Sequence, residues 1–326
     1  MSAPRTADMY AASIFSSRRI PDTMITAAAL LFAEPDFTAL DVLHEYIGFV
    51  GSFLIVGAAS FYFLLMRPAL GTNADAMTAA ARTAARLGCI GALLRLLAMA
   101  MSINSVMTEK HLSLGAALTG RPSQIITELL TVGAVIAFGL AAVATRESPT
   151  AWKVAGIATL VVMLGALATT DLRRVVNPLH VFAASLWIGT LIVLVAAGVT
   201  TALGSTMQSS ARGPAVALMV NRFSTIALWS VGLLVLTGVI TAYRHLGEVS
   251  ALWTSLYGKT LIGKLCLVAV VFTLGAYNNR RLTPALGTEE SGRRLARSAT
   301  FEIAIAAIVL IVTAVLVNRP APAEHM

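Results

Sequence analysis

Five histidines, His44, His111, His180, His245 and His325, are the side chains of this 326-residue chain best suited to hold a transition metal. Imidazole nitrogen is a ligand for copper, zinc and haem iron. His44 opens one apolar stretch and His180 opens another, while His111 and His245 each follow one, and the interval within the first pair nearly equals the interval within the second. That placement predicts a ring of imidazoles at one mouth of a helical bundle, a metal site made by His44 and His180 and assisted by His111 and His245. Met107, with Met99 and Met101 on the same stretch, adds thioether sulfur, a soft donor suited to Cu(I). The bland alternatives are interfacial histidines bonded to backbone or water, and methionines that fill gaps.

A second set of residues is ionisable and lies inside apolar runs: Arg95, Glu128, Lys264 and Glu302. A charge at the centre of a bilayer costs about 2.5–3.5 kcal/mol on insertion scales, so such groups face the bundle interior and have partners. Glu128 and Lys264 are separated by the same interval as His44 and His180, and the spacing predicts a cross-repeat ion pair that lines or gates a path, with Arg95 nearby. A structural pair that sets helix register is the competing reading. Arg86 and Arg222 lie where their side chains can snorkel. Cys89 and Cys266 fall inside apolar runs without CxxC spacing and suggest neither a disulfide framework nor a thiolate site. The chain has no P-loop, HExxH or GxSxG pattern. No catalytic residue is assigned, the chain is not read as an enzyme, and any transport would be passive or driven by a gradient.

The elements that must position these groups follow from composition. Hydrophobic residues make up 57% of the chain and charged residues 12%, against about 25% charged in an average soluble domain; the mean hydropathy is +0.80. Most apolar surface must therefore face lipid or other helices. The net charge of +8 does not point to nucleic acid, because the basic residues form short clusters between apolar runs rather than one polar face. Eight stretches are long enough to span, at 40–66, 84–107, 124–145, 152–170, 179–203, 223–243, 260–277 and 301–317. The expected fold is all-α: a polytopic membrane bundle of about eight helices, arranged as two four-helix repeats.

The repeats would occupy 38–175 and 176–318, preceded by an N-terminal arm at 1–37 that carries a short surface helix or a cleaved signal, and followed by a tail at 319–326. Each repeat has an even number of spans, so the halves share one orientation about an axis along the membrane normal. Loops after the odd-numbered spans carry twelve Lys and Arg residues near span ends, and those on the other side carry seven. By the positive-inside rule both termini lie outside. The same assignment puts all five histidines at or beyond the outer boundary.

Several strings in the second half have a familiar order. His180 followed by Trp187-Ile188-Gly189, Asn221-Arg222-Phe223-Ser224, Leu236-Thr237-Gly238, Leu256-Tyr257-Gly258-Lys259 with Lys264, and Tyr277-Asn278-Asn279-Arg280 resemble the copper resistance protein D (CopD) family of bacterial inner-membrane proteins. The resemblance runs through about 178–282, with a looser echo in Leu43-His44 and Arg67-Pro68. It implies an eight-span protein of the inner membrane, with periplasmic termini, that takes copper from a separate periplasmic chaperone of the CopC type and moves it inward. The rival reading is a b-type haem electron-transfer protein with bis-His ligation; a third is an oxidase-assembly scaffold.

Overall fold

Apolar runs bounded by Pro, Gly, Ser and Asn have one stable form in lipid, the helix, because it satisfies every backbone group within the segment. In a computed structural model of the chain, the described residues are 38–71, 73–119, 122–165, 172–204, 207–283, 286 and 288–322. The N-terminal arm and His325 lie outside them. The elements are α1 (Ala39–Leu70), α2 (Ala74–Lys110), the connector α3 (Leu114–Thr119), α4 (Pro122–Val143), α5 (Pro149–Gly165), α6 (Val175–Ala202), α7 (Ser209–Leu246), the connector α8 (Ala251–Thr254), α9 (Leu256–Leu282) and α10 (Glu289–Val317). Six of them, α1, α2, α6, α7, α9 and α10, are long and apolar enough to cross a membrane, and no strand forms among the described residues. The third and fourth expected spans are the shorter helices α4 and α5. The protein is an all-α, multi-pass membrane bundle.

The helix ends show why the chain breaks where it does. Asn73 accepts a hydrogen bond from Ala76 N at 2.9 Å and starts α2; Ser255 does the same for Gly258 N and starts α9. Thr288 and Ser291 form a capping box at α10, whose first turn carries Glu289 and Glu290, the sign that a helix N-terminus favours. Arg82 of α2 closes the C-terminal end of α4, donating to Ala144 O at 2.9 Å and Thr145 O at 3.0 Å. In the loop that follows, burial pushes the Glu147 carboxyl above its ordinary range, and the Tyr62 hydroxyl donates to it.

From Ala39 onward the chain forms one compact unit, so the two halves are packed together rather than apart. α1 lies at its centre, touching α2, α5, α6, α7 and α10. Glycine sets its closest approaches. A Cβ on Gly51 would stand 2.7 Å from Gly91 O of α2; one on Gly57 would stand 2.2 Å from Gly189 O of α6, and one on Gly189 2.1 Å from Phe53 O. Without a bulk hydrophobic drive between helices in lipid, close packing of this kind is a main source of association. Phe53 and Gly189 are separated by the interval of the expected repeat, the same that separates His44 from His180. Both histidines therefore stand equally far before this crossing, about 14 Å along a helix.

The halves differ in how they fill the space beside the crossing. In the first, Trp152 stacks on Tyr62 with centroids 4.1 Å apart and meets Phe138 edge-on at 5.6 Å. Phe138 in turn lies on Gly88, where a Cβ would be 2.7 Å from the ring. At the equivalent positions the second half has Gly198 in place of Tyr62 and Ser224 in place of Gly88. Gly189→Ala is expected to destabilise the protein by about 1–3 kcal/mol through overpacking, whereas Gly232→Ala, with nothing within 4 Å of the new methyl, should leave stability within about 0.5 kcal/mol. Thermal unfolding of the two variants in detergent checks this.

Candidate functional site

His180 is held by α7. Its Nδ1 is 2.9 Å from Thr237 Oγ1, and the next residue, Gly238, leaves room for the ring: a Cβ there would stand 3.4 Å from His180 Cε1. One turn along, the same two helices meet again, where Thr241 Oγ1 donates to Asn177 Oδ1 at 3.2 Å. Thr241 O is also 2.8 Å from His245 Nδ1. His180 and His245 therefore share one polar seam between α6 and α7. The His245 ring stacks on Tyr257 of α9, 5.8 Å away and nearly parallel.

The first-half histidines have separate surroundings. His44 Nε2 is 3.4 Å from Glu45 Oε1. His111 caps α2 in the left-handed conformation, φ 50°, its backbone N–H bonding to Met107 O. That puts Met107 and His111 on the same final turn of α2. Among the described residues no three His, Cys, Asp or Glu side chains gather closely enough to hold an ion. The structure brings His180 and His245 to the α6–α7 seam and sets His111 and Met107 at the end of α2, with His44 near the start of α1.

The charges inside the bundle also pair differently from the cross-repeat expectation. Arg95 of α2 donates to Ser52 of α1 at 2.8 Å, and its electrostatic partner is Glu128 of α4. Lys264 of α9 instead acts electrostatically on His180. No ion pair joins Glu128 to Lys264 among the described residues; each faces a partner within its own half. The reason is geometric: Glu128 sits on α4, which packs against α2 and α5, whereas Lys264 sits on α9, which packs against α10.

The structure shows one further polar site, which the spacing of histidines did not indicate. Where the second half lacks the aromatic filling of the first, a cavity of about 380 Å³ opens between α6, α7, α9 and α10. Trp187 and Phe272 line it, with centroids 5.1 Å apart. Its polar wall includes Ser224, Asn278, Asn279, Arg280 and Glu302. Glu302, only 3% exposed, accepts a hydrogen bond from Asn278 Nδ2 at 3.2 Å, and Ser298 Oγ donates to Asn278 Oδ1 at 2.6 Å. The signal available in the sequence was an acid inside an apolar run, with an Asn pair at the end of the preceding helix.

The family of copper resistance protein D (CopD) matches residues 217–316, which is most of α7, all of α8 and α9, and nearly all of α10. Residues 217–316 are thus similar to the CopD family. The CopD region holds Thr237, Gly238, His245, Tyr257, Lys264, Asn278 and Glu302, and it begins and ends farther along the chain than the 178–282 read from the motifs. The copper transport protein CutJ of Bacillus subtilis (strain 168) is 28% identical over 149 residues, 45% of this chain and 25% of the relative. The matched segment thus spans about a quarter of that curated relative. No solved structure matches the chain.

His111 offers a direct check on whether a histidine is a ligand or only a cap. A left-handed C-terminal position favours Gly by about 1 kcal/mol. His111→Gly should therefore raise the unfolding temperature, and a titration with Cu(I) reads the other role: weakened binding marks His111 as a donor, unchanged binding marks it as a cap.

Proposed function

We propose that this chain is a permease that moves copper across the bacterial inner membrane from the periplasm, with both termini on the periplasmic side. The CopD match over α7, which forms the polar seam with α6, and over α9, which carries Lys264, is the observation that carries this reading. The name of the Bacillus relative points the same way. His44 and His180 receive the ion at the outer end, with His111, His245 and Met107 as neighbouring donors. A separate CopC-like periplasmic chaperone delivers it.

The seam suits such a role. Thr237 and Gly238 orient the His180 ring through Nδ1, leaving Nε2 as the nitrogen available to an ion; a ligating imidazole is commonly oriented in this way through its second nitrogen. Lys264 is the gate. An ammonium beside the ring repels an arriving cation, and at short range in a protein interior that repulsion is worth about 1 kcal/mol or more, so copper is held weakly enough to leave. Glu128 and Arg95 form the corresponding charge pair of the first half, where they keep α2 and α4 in register beside the path.

Copper accumulation by cells and copper binding by the purified protein test the proposal together. The double variant His44→Ala, His180→Ala should lose uptake at limiting external copper, and unchanged uptake would remove the site. Lys264→Met should hold copper about tenfold more tightly while moving it more slowly, as expected when a repulsion of about 1.4 kcal/mol is removed. A Soret band in the untreated protein would replace copper with haem as the group bound.

A further inference from the structure

The cavity of the second half contains a carboxyl group, Glu302, that forms no ion pair among the described residues. Glu302 is buried on α10, and its hydrogen-bond donor is the neutral amide of Asn278. Gly275 of α9 has no side chain to cover the other carboxyl oxygen: a Cβ there would be 3.3 Å from Glu302 Oε1. The charged groups that line the cavity are Glu302 and Arg280, the latter at the end of α9; α6 and α7 contribute apolar residues and Ser224. Arg280 makes no ion pair with Glu302 among the described residues. A carboxylate so enclosed is expensive in hydrocarbon unless it is hydrogen-bonded and takes up a positive charge.

The lining also says which positive charge. It includes no His, Cys or Met, the donors that copper favours, whereas carboxylate, amide and hydroxyl oxygens suit hard cations. We propose that Glu302 and Asn278 form a site for a hard monovalent cation, a proton or Na⁺, whose binding and release accompany the movement of copper. The coupling rests on the permease reading; the cation site does not.

The helices that form the cavity provide the mechanical link. α6 carries His180 and, beyond it, the cavity wall from Trp187 to Val199. Its backbone widens into π-helical turns at Ser185–Gly189 and Leu194–Val199. α9 carries Lys264 and then Asn278, at the start of another such turn, Asn278–Leu282. Turns of this type are weak points of the helical ladder and often occur at functional sites. A cation that draws Asn278 and Glu302 together therefore acts on the cavity helices that also hold the outer imidazole and its gating ammonium.

Two measurements on the purified full-length protein test the inference separately from the permease reading. The first is thermal unfolding as NaCl replaces choline chloride at constant ionic strength, and as pH is lowered from 8 to 6 in choline alone. A cation bound only by the folded state raises the unfolding temperature, so the wild type should respond to Na⁺ or to acid, and Glu302→Gln, of the same shape, should lose that response. Asn278→Ala serves if Glu302→Gln does not fold. The second is copper uptake into liposomes under an inward Na⁺ gradient, an inward proton gradient or neither. The gradient of the stabilising cation should accelerate wild-type uptake, and Glu302→Gln should lose the acceleration while binding copper normally. Equal stabilisation of wild type and Glu302→Gln overturns the site. Uptake that ignores both gradients overturns the coupling and leaves the permease reading standing, whereas cation-dependent stabilisation without copper uptake supports the site and removes the permease reading.

Discussion

The backbone contact between α1 and α6 at Gly57 and Gly189 is the constraint from which the rest of the bundle follows. Two helices approach this closely only where neither has a side chain between them, and in lipid such contact contributes what apolar burial contributes in water. The crossing joins the first helix of each half. It also bears on the height of His44 and His180, which precede its contacting residues Phe53 and Gly189 by equal lengths of helix. With α1 pinned against α6 on one side and against α2 through Gly51 and Gly91 on another, the centre of the protein is backbone and small side chains, and the larger polar groups are displaced to the seams around it.

What the halves do with those seams differs. The first is filled: Tyr62, Phe138 and Trp152 interlock, Trp152 and Phe138 are fully buried, and its charges Arg95 and Glu128 act on one another across α2 and α4. The second is open, with a hydrogen-bonded histidine at one end, a cavity beyond it and a buried acid on the cavity wall. The CopD match lies on this half. The first half is braced by aromatic packing and the second contains space and polar seams, while widened helical turns occur in both, at Phe61–Met66 of α1 and along α6 and α9.

The strings that carried the family resemblance acquire physical meanings in the fold. In Leu236-Thr237-Gly238 the hydroxyl orients the His180 ring and the glycine makes room for it. Tyr257 supports His245 by stacking, and Gly258 permits close approach to Ala251 O. Gly189 is half of the central crossing, and Trp187, Phe223 and Ser224 line the cavity. Asn278 holds Glu302. These residues were legible as a pattern before their tasks were visible. The partners of Glu128 and Lys264 were not recoverable in the same way, because equal spacing along the chain gives equivalent positions in two halves, not contact between them.

Composition and apolar run length were enough to establish an all-helical membrane protein, roughly where its helices begin and end, and which few polar residues lie within or beside them. They suffice because hydrocarbon admits few backbone forms and penalises stray charge. Which polar residues meet was decided only by tertiary structure. Whether His180 faces Thr237, whether Lys264 faces His180 or Glu128, and whether Glu302 borders a cavity depend on helix rotation and neighbour choice. Those are set by glycine contacts and aromatic packing between segments distant in the chain, which no local pattern records.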